Sequence, residues 1–251
     1  GAVSYLYYAE RVYQINLAIA GIAVGTVSLP VLSKAFKLKN FSKISKIQSS
    51  SIQLSLLLSI PASVALIIAS EEIVNGLFGY GSFTSNDVKT TSDALMLFGL
   101  GVVAFSLIKI LANFFFARDN TKIPFYISSF IVLLNVLISV SFFSKIGFLI
   151  IPIATSFSTW IGVLIFLFFL KKNNYLLLQK LLFQNTLKII ISSAIMAFAL
   201  IFTLEKYSTF LDYSYTYKSI YLIIIICFAG IVYLLSCYLF GLLKIKNYKT
   251  N

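Results

Sequence analysis

Residues 4–33 read SYLYYAERVYQINLAIAGIAVGTVSLPVLS, an apolar stretch whose only formal charges are Glu10 and Arg11. At 1.5 Å per residue of helix, Arg11 lies roughly 35 Å from Lys34, the next charge along the chain. That is about the hydrocarbon thickness of a bilayer, which puts Arg11 near the far end of a membrane-spanning helix. An ionisable side chain there costs about 2.5 kcal/mol or more unless it meets water, a partner or a ligand. Stepping 100° per residue, Ser4, Tyr8 and Arg11 fall on one face, with Gln14 at its edge. A polar strip of this kind lines protein or water rather than lipid. Further along, Gly21 and Gly25 form a G-x-x-x-G pair, which reads as a place of close helix packing.

The whole chain agrees with this stretch. It has 251 residues, 59% of them hydrophobic and 11% charged, where soluble domains carry about 25% charged residues. The apolar runs are long and continuous, not alternating ten-residue segments, so the expected fold class is an all-α, polytopic transmembrane helix bundle. There is no histidine, which removes the commonest general base and metal ligand. Cys227 and Cys237 are ten residues apart in one apolar run, about 15 Å on a continuous helix and too far to bridge. No enzyme active site and no cofactor are expected. The chain starts at Gly1 without an initiator methionine, and we expect it to be part of a longer protein.

About seven spans are expected: Ser4 to Ser33, Ile47 to Ala69, Thr91 to Phe116, Ile123 to Phe143, Gly147 to Leu170, Leu187 to Leu204, and Ser219 to Leu243. The net charge of +12 does not point to nucleic acid, because its lysines are sorted by loop. One set of loops holds Lys34, Lys37, Lys39, Lys43 and Lys46, then Arg118 and Lys122, then Lys171, Lys172, Lys180 and Lys188, then Lys244, Lys246 and Lys249. The other set mixes acids such as Glu71, Glu72, Asp87 and Asp212 with a few lysines. The positive-inside rule makes the first set cytoplasmic, with the C-terminus inside and Arg11 toward the outer side. Residues 70–93 read either as a short external interfacial helix followed by a turn at GYGS or as loop packing. Residues 173–186 read either as a cytoplasmic interfacial helix with a basic edge or as loop packing. Lys109, inside the third span, reads as a snorkelling lysine, with a cavity role as the alternative.

Asn135 and Ser139 lie one helical turn apart, and Thr155 follows in the next span. Such neutral oxygen-bearing helices either exchange interhelical hydrogen bonds or hold a cation such as Na⁺. Arg11 has two readings as well. Its guanidinium fork fits phosphate or carboxylate oxygens, and the alternative is a structural ion pair, for which Glu10 is badly placed because adjacent helical residues point about 100° apart.

Three stretches resemble one family, the MurJ/MviN lipid II flippases of the multidrug/oligosaccharidyl-lipid/polysaccharide exporter superfamily. They are YYAERVYQ with GIAVGTVSLPVLS, IPASVALIIASEEIVNGLFGYGSFTSNDVKTTSDAL, and KILANFFFARDNTKIP. The resemblance runs from Gly1 to about Leu170. It implies helices 8–14 of a 14-helix flippase. Residues 1–170 would be most of the second six-helix lobe, and residues 171–251 two additional helices forming a lipid-tail groove. It implies that lipid II, a lipid-linked disaccharide-pentapeptide, crosses from the inner to the outer leaflet of the bacterial cytoplasmic (inner) membrane by alternating access. Arg11 would bind the diphosphate, with Ser4, Tyr8 and Gln14 beside it, and Asn135, Ser139 and Thr155 would be the local candidate for a Na⁺ site; coupling to membrane potential is the other option. The partners implied are the lipid substrate, membrane lipids and the missing N-terminal lobe. Ile15 and Asn16 depart from the family, standing where many members carry a short apolar residue and proline. The alternatives are a polysaccharide-lipid flippase, a cation-coupled drug exporter, or a non-transporting membrane scaffold.

Overall fold

A computed structural model describes residues 1–243, and its regular elements are all helices. Lys244, Lys246 and Lys249, counted above among the cytoplasmic lysines, lie outside the described residues. The helices are α1 (Ala2–Lys37), α2 (Phe41–Ile68), α3 (Ser70–Phe78), α4 (Ser85–Gly99), α5 (Val102–Phe116), α6 (Lys122–Ile146), α7 (Ile150–Lys172), α8 (Lys180–Lys206) and α9 (Lys218–Leu239). The α6 and α7 residues form one apolar run. Gly147, at φ 72°, turns the chain back there, and the two helices pack along each other. With α4 and α5 taken as one bent span, the described residues hold seven spans.

The broken span is the main departure from the expected third helix. It bends by 41° between α4 and α5, where the sequence reads Gly99-Leu100-Gly101. A break strands backbone carbonyls, and each must be satisfied inside a membrane. Ser63 of α2 donates to the Gly99 carbonyl at 2.7 Å, Ser156 of α7 to that of Leu97 at 2.8 Å, and the Trp160 indole to that of Leu100 at 2.9 Å. Glycine at 99 also lets α4 approach α2, since a Cβ there would lie 3.2 Å from Ile67. The proline in α2 is handled in the same way. Pro61 leaves the Leu57 carbonyl without its helical donor, and the Tyr233 hydroxyl of α9 supplies one at 2.7 Å.

Contacts sort the loops into the same two ends that the charges define. At one end, Arg118 follows α5 and lies against Phe36 of α1 and Tyr175, which precedes α8. At the other, Tyr5 donates to Asp87 at 2.6 Å, Tyr213 to the Phe83 carbonyl at 2.7 Å, and buried Lys218 to the carbonyls of Gly79 and Tyr213 at 2.6 and 2.7 Å. Thr84 caps α4 in a reciprocal arrangement with Asp87. The expected external helix is α3, with Ile73, Val74, Asn75 and Gly76 buried, and the chain turns at residues 79–84.

The interfacial-helix reading of 173–186 is corrected in favour of the loop-packing one over 175–179, which have no regular structure, and α8 starts at Lys180. The run YLLLQ has helical periodicity, but its backbone groups are claimed by α2. Gln48 donates to the Tyr175 carbonyl at 2.9 Å and accepts from the Leu177 amide at 2.8 Å, and Ser49 accepts from the Gln179 amide at 2.9 Å. Gln48 is fully buried, so this strap fixes α8 against α2.

Candidate functional site

The centre of α1 is a widened π-helical turn, Ala18–Ala23, just beyond Ile15 and Asn16. Such turns insert one residue into the ladder and redirect the helix, as proline does by other means. Gly21 and Gly25 lie on the side facing α5, as the close-packing reading expected. A Cβ at Gly21 would lie 3.2 Å from the Ser106 backbone, and one at Gly25 only 2.8 Å from Asn113 Nδ2. Asn113 donates to the Gly25 carbonyl at 3.0 Å. Lys109, on the same stretch of α5, is exposed, and its Cγ lies 3.5 Å from where a Gly21 Cβ would be.

This clamp fixes the rotation of the outer half of α1. Ala9, Val12 and Tyr13 turn inward, Tyr13 stacking near Phe98 and Phe105 at centroid distances of 4.8 and 5.3 Å. Ser4 and Arg11 consequently face out, both exposed. The Arg11 guanidinium lies over the Tyr7 ring, 4.7 Å from its centroid, and has no ion-pair partner among the described residues. Glu10 is taken instead by Gln14, which donates to it at 2.9 Å. Tyr8 does not share the open strip in full. It is half-buried against Phe78 and Phe83, at 4.8 and 5.4 Å between centroids, because α3 and the following turn fold over that edge of α1. The ring beside Arg11 is therefore Tyr7, which the reading by periodicity passed over although it lies within 40° of Arg11 on the helical wheel.

Asn135, Ser139 and Thr155 are brought together where α6 meets α7. Asn135 Nδ2 donates to Thr155 Oγ1 at 2.9 Å, Ser139 Oγ lies 3.5 Å from Asn135 Oδ1, and Thr155 donates to the Ile151 carbonyl at 2.7 Å. The oxygens available are neutral, and no group of three or more acidic, His or Cys side chains able to hold a metal occurs among the described residues. The neighbouring Ser156 serves the helix break, so this cluster adjoins the bend of the α4–α5 span.

Arg118, which loop-charge counting treats only as a topology marker, is half-buried. The Arg118 guanidinium is sandwiched between Phe36 and Tyr175, 3.8 and 4.0 Å from their centroids. It donates to the Phe114 carbonyl at 2.9 Å and to that of Tyr175 at 3.1 Å. Burial pushes its pKa down to about 10, still charged at neutral pH. The local run FFFARD carries no signal for this sandwich, because both rings come from distant parts of the chain.

Seven apolar spans, a broken helix with satisfied carbonyls, and an exposed arginine on an otherwise apolar helix define a multi-pass membrane protein. The family comparison narrows the class. The model of the MurJ lipid II flippase family matches residues 1–222, and the chain belongs to that family. It is 31% identical over 253 residues to the probable lipid II flippase MurJ of Rhizobium tropici, covering 100% of this chain and 48% of that protein. Its similarity to the probable lipid II flippase MurJ of Rickettsia prowazekii is 32% over 255 residues, covering 100% and 49%. A solved structure described as lipid II flippase MurJ in an inward closed conformation superposes with a TM-score of 0.80 at 29% identity, over 96% of this chain and 47% of that one. The chain thus spans about half the length of the curated relatives it matches.

Proposed function

We propose that this chain forms one half of a lipid II flippase, working by alternating access with an N-terminal lobe that supplies the facing wall of the cavity. The observation that carries this reading is Arg11. It is exposed on α1, steadied by Tyr7 and unpaired among the described residues, on a face that lipid would penalise. A guanidinium held in this way is ready to donate a bidentate pair of charge-assisted hydrogen bonds to a diphosphate crossing the membrane. Exposed Ser4 and half-buried Gln14 adjoin it, while Tyr8 shapes the edge through its aromatic contacts. The transported lipid changes sides and no bond of it is made or broken, so the role is that of a carrier.

In this reading, residues 1–170 are the second transporter lobe, and α8 and α9 the two additional helices. The cleft of about 690 Å³ between α8 and α9, walled by Phe198, Phe202, Ile224 and Phe228, supports a lipid-tail groove. The protein sits in the bacterial cytoplasmic membrane with its lysine-rich end and C-terminus inside. Asn135, Ser139 and Thr155 are the place for a coupling Na⁺, which would have to displace the Asn135–Thr155 hydrogen bond. The test is growth rescue of a flippase-depleted bacterium by the full-length protein. Wild type rescues, and Arg11→Ala, present at equal membrane level, does not; normal growth of that variant would sink the substrate role.

A further inference from the structure

Chain connectivity alone does not fix α8 and α9 to the rest of the bundle, since residues 175–179, which lead into them, have no regular structure. What fixes them is a set of polar bonds at three depths. At the outer end, Lys218 is only 2% exposed. It donates to the carbonyls of Gly79 and Tyr213, and its ammonium lies 4.5 Å from the ring centroids of both Tyr80 and Tyr213. An ammonium solvated only by carbonyls and ring faces stays with them, because leaving strips the charge of its partners. Beside it, Ser219 donates to the Gly76 carbonyl at 2.6 Å, and Asn75 donates to that of Leu211 at 2.8 Å. A Cβ at Gly76 would stand 2.5 Å from Leu222 Cδ2, so α3 and α9 meet without slack. At mid-depth, the Tyr233 hydroxyl of α9 holds the Leu57 carbonyl that Pro61 frees in α2. At the inner end, fully buried Gln48 holds the strap from both sides, and Asn185 of α8 donates to Gln53 of α2 at 2.8 Å.

We infer that α8 and α9 are carried by the second lobe as one rigid body, pinned by Lys218 at the outer end and by Gln48 at the inner end. The bonds run to α2, α3 and the turn after α3, and the packing runs the same way: α8 lies on α2, and α9 on α8 and α3. Sliding or tilting the pair over α2 breaks bonds at all three depths, and inside hydrocarbon no water replaces them. The cleft between α8 and α9 therefore keeps a fixed register with Arg11 on α1. This inference rests on the alternating-access reading above. It adds that a lipid's tail and its diphosphate are met by surfaces that move together while the opposite lobe moves against both.

Pulsed electron paramagnetic resonance on the full-length protein in lipid nanodiscs tests this, with the native cysteines replaced by alanine. Nitroxide labels at positions 125 and 183 report the inner ends of α6 and α8, and labels at 143 and 205 their outer ends. Each pair should show a single distance, while a pair joining position 183 to the N-terminal lobe should show two. Lys218→Met should cost the outer pair its single distance and leave the inner pair unchanged; Gln48→Leu should do the reverse. Ser219→Ala, a milder change at the same end, should act on the outer pair as Lys218→Met does. Two distances within either pair of the otherwise unaltered protein would overturn the inference, as would an outer pair unmoved by both Lys218→Met and Ser219→Ala. A single distance between the lobes, with both pins responding as described, would instead sink the alternating-access reading and leave the rigid attachment standing.

Discussion

Replacing Arg118 by alanine should loosen the lysine-rich end of the bundle without touching the proposed cavity. The side chain makes two ring contacts and two charge-assisted hydrogen bonds, joining the ends of α1 and α5 to the strap before α8. Each ring face contributes about 0.5–1 kcal/mol at a half-buried site. Of the two carbonyls, that of Tyr175 keeps Gln48 as a donor, so only the Phe114 carbonyl is left bare, at about 1 kcal/mol. The sum is about 2–3 kcal/mol, a midpoint lowered by roughly 4–12 °C for a chain of this size. The chain carries its own reporter: Cys237 is fully buried and Cys227 exposed. In a Cys227→Ser background, the onset of labelling by a thiol-reactive dye on heating follows the exposure of Cys237. Arg118→Lys should recover less than half of the loss, because an ammonium cannot stack between two rings or fork its donors. An unchanged labelling midpoint in Arg118→Ala would refute the clamp, and full recovery by lysine would refute its planar geometry.

Two further substitutions probe the backbone accounts in the same thermal assay. Gly25→Leu should destabilise by more than 2 kcal/mol, since its Cβ alone would stand 2.8 Å from Asn113 Nδ2; full stability would mean that α1 and α5 are not clamped there. Tyr233→Phe leaves the Leu57 carbonyl unsatisfied beside Pro61 and should cost about 1–3 kcal/mol, whereas the same change at exposed Tyr238 should cost almost nothing; equal effects would contradict the proline account.

The order of the spans was legible because hydropathy acts locally, although α2 and α8 begin at Phe41 and Lys180, ahead of the expected Ile47 and Leu187. Gly21 and Gly25 were readable as a packing face for the same reason: spacing alone puts them on one side of one helix. What periodicity could not supply were the effects of distant partners. Tyr8 belongs by angle with Arg11, but Phe78 and Phe83, some seventy residues away, draw it into an aromatic cluster. The YLLLQ run looks helical until the buried Gln48, more than 120 residues earlier, takes its amide and carbonyl groups. The bend after α4 left a trace in Gly99-Leu100-Gly101, yet its direction depends on Ser63, Ser156 and Trp160, which arrive from two other helices. Arg11 itself was singled out by cost alone, and the structure adds that the neighbouring acid is engaged elsewhere.

The most direct measurement is transport itself, separated from growth. In cells depleted of their own flippase and supplied with the full-length protein, the fraction of labelled lipid-linked disaccharide-pentapeptide reaching the outer leaflet is followed over time. Wild type should restore outward appearance, and Arg11→Ala should abolish it at unchanged membrane abundance, with Arg11→Lys intermediate because charge survives and the bidentate fork does not. Outward appearance in Arg11→Ala at the wild-type rate would contradict the claim that this arginine receives the diphosphate.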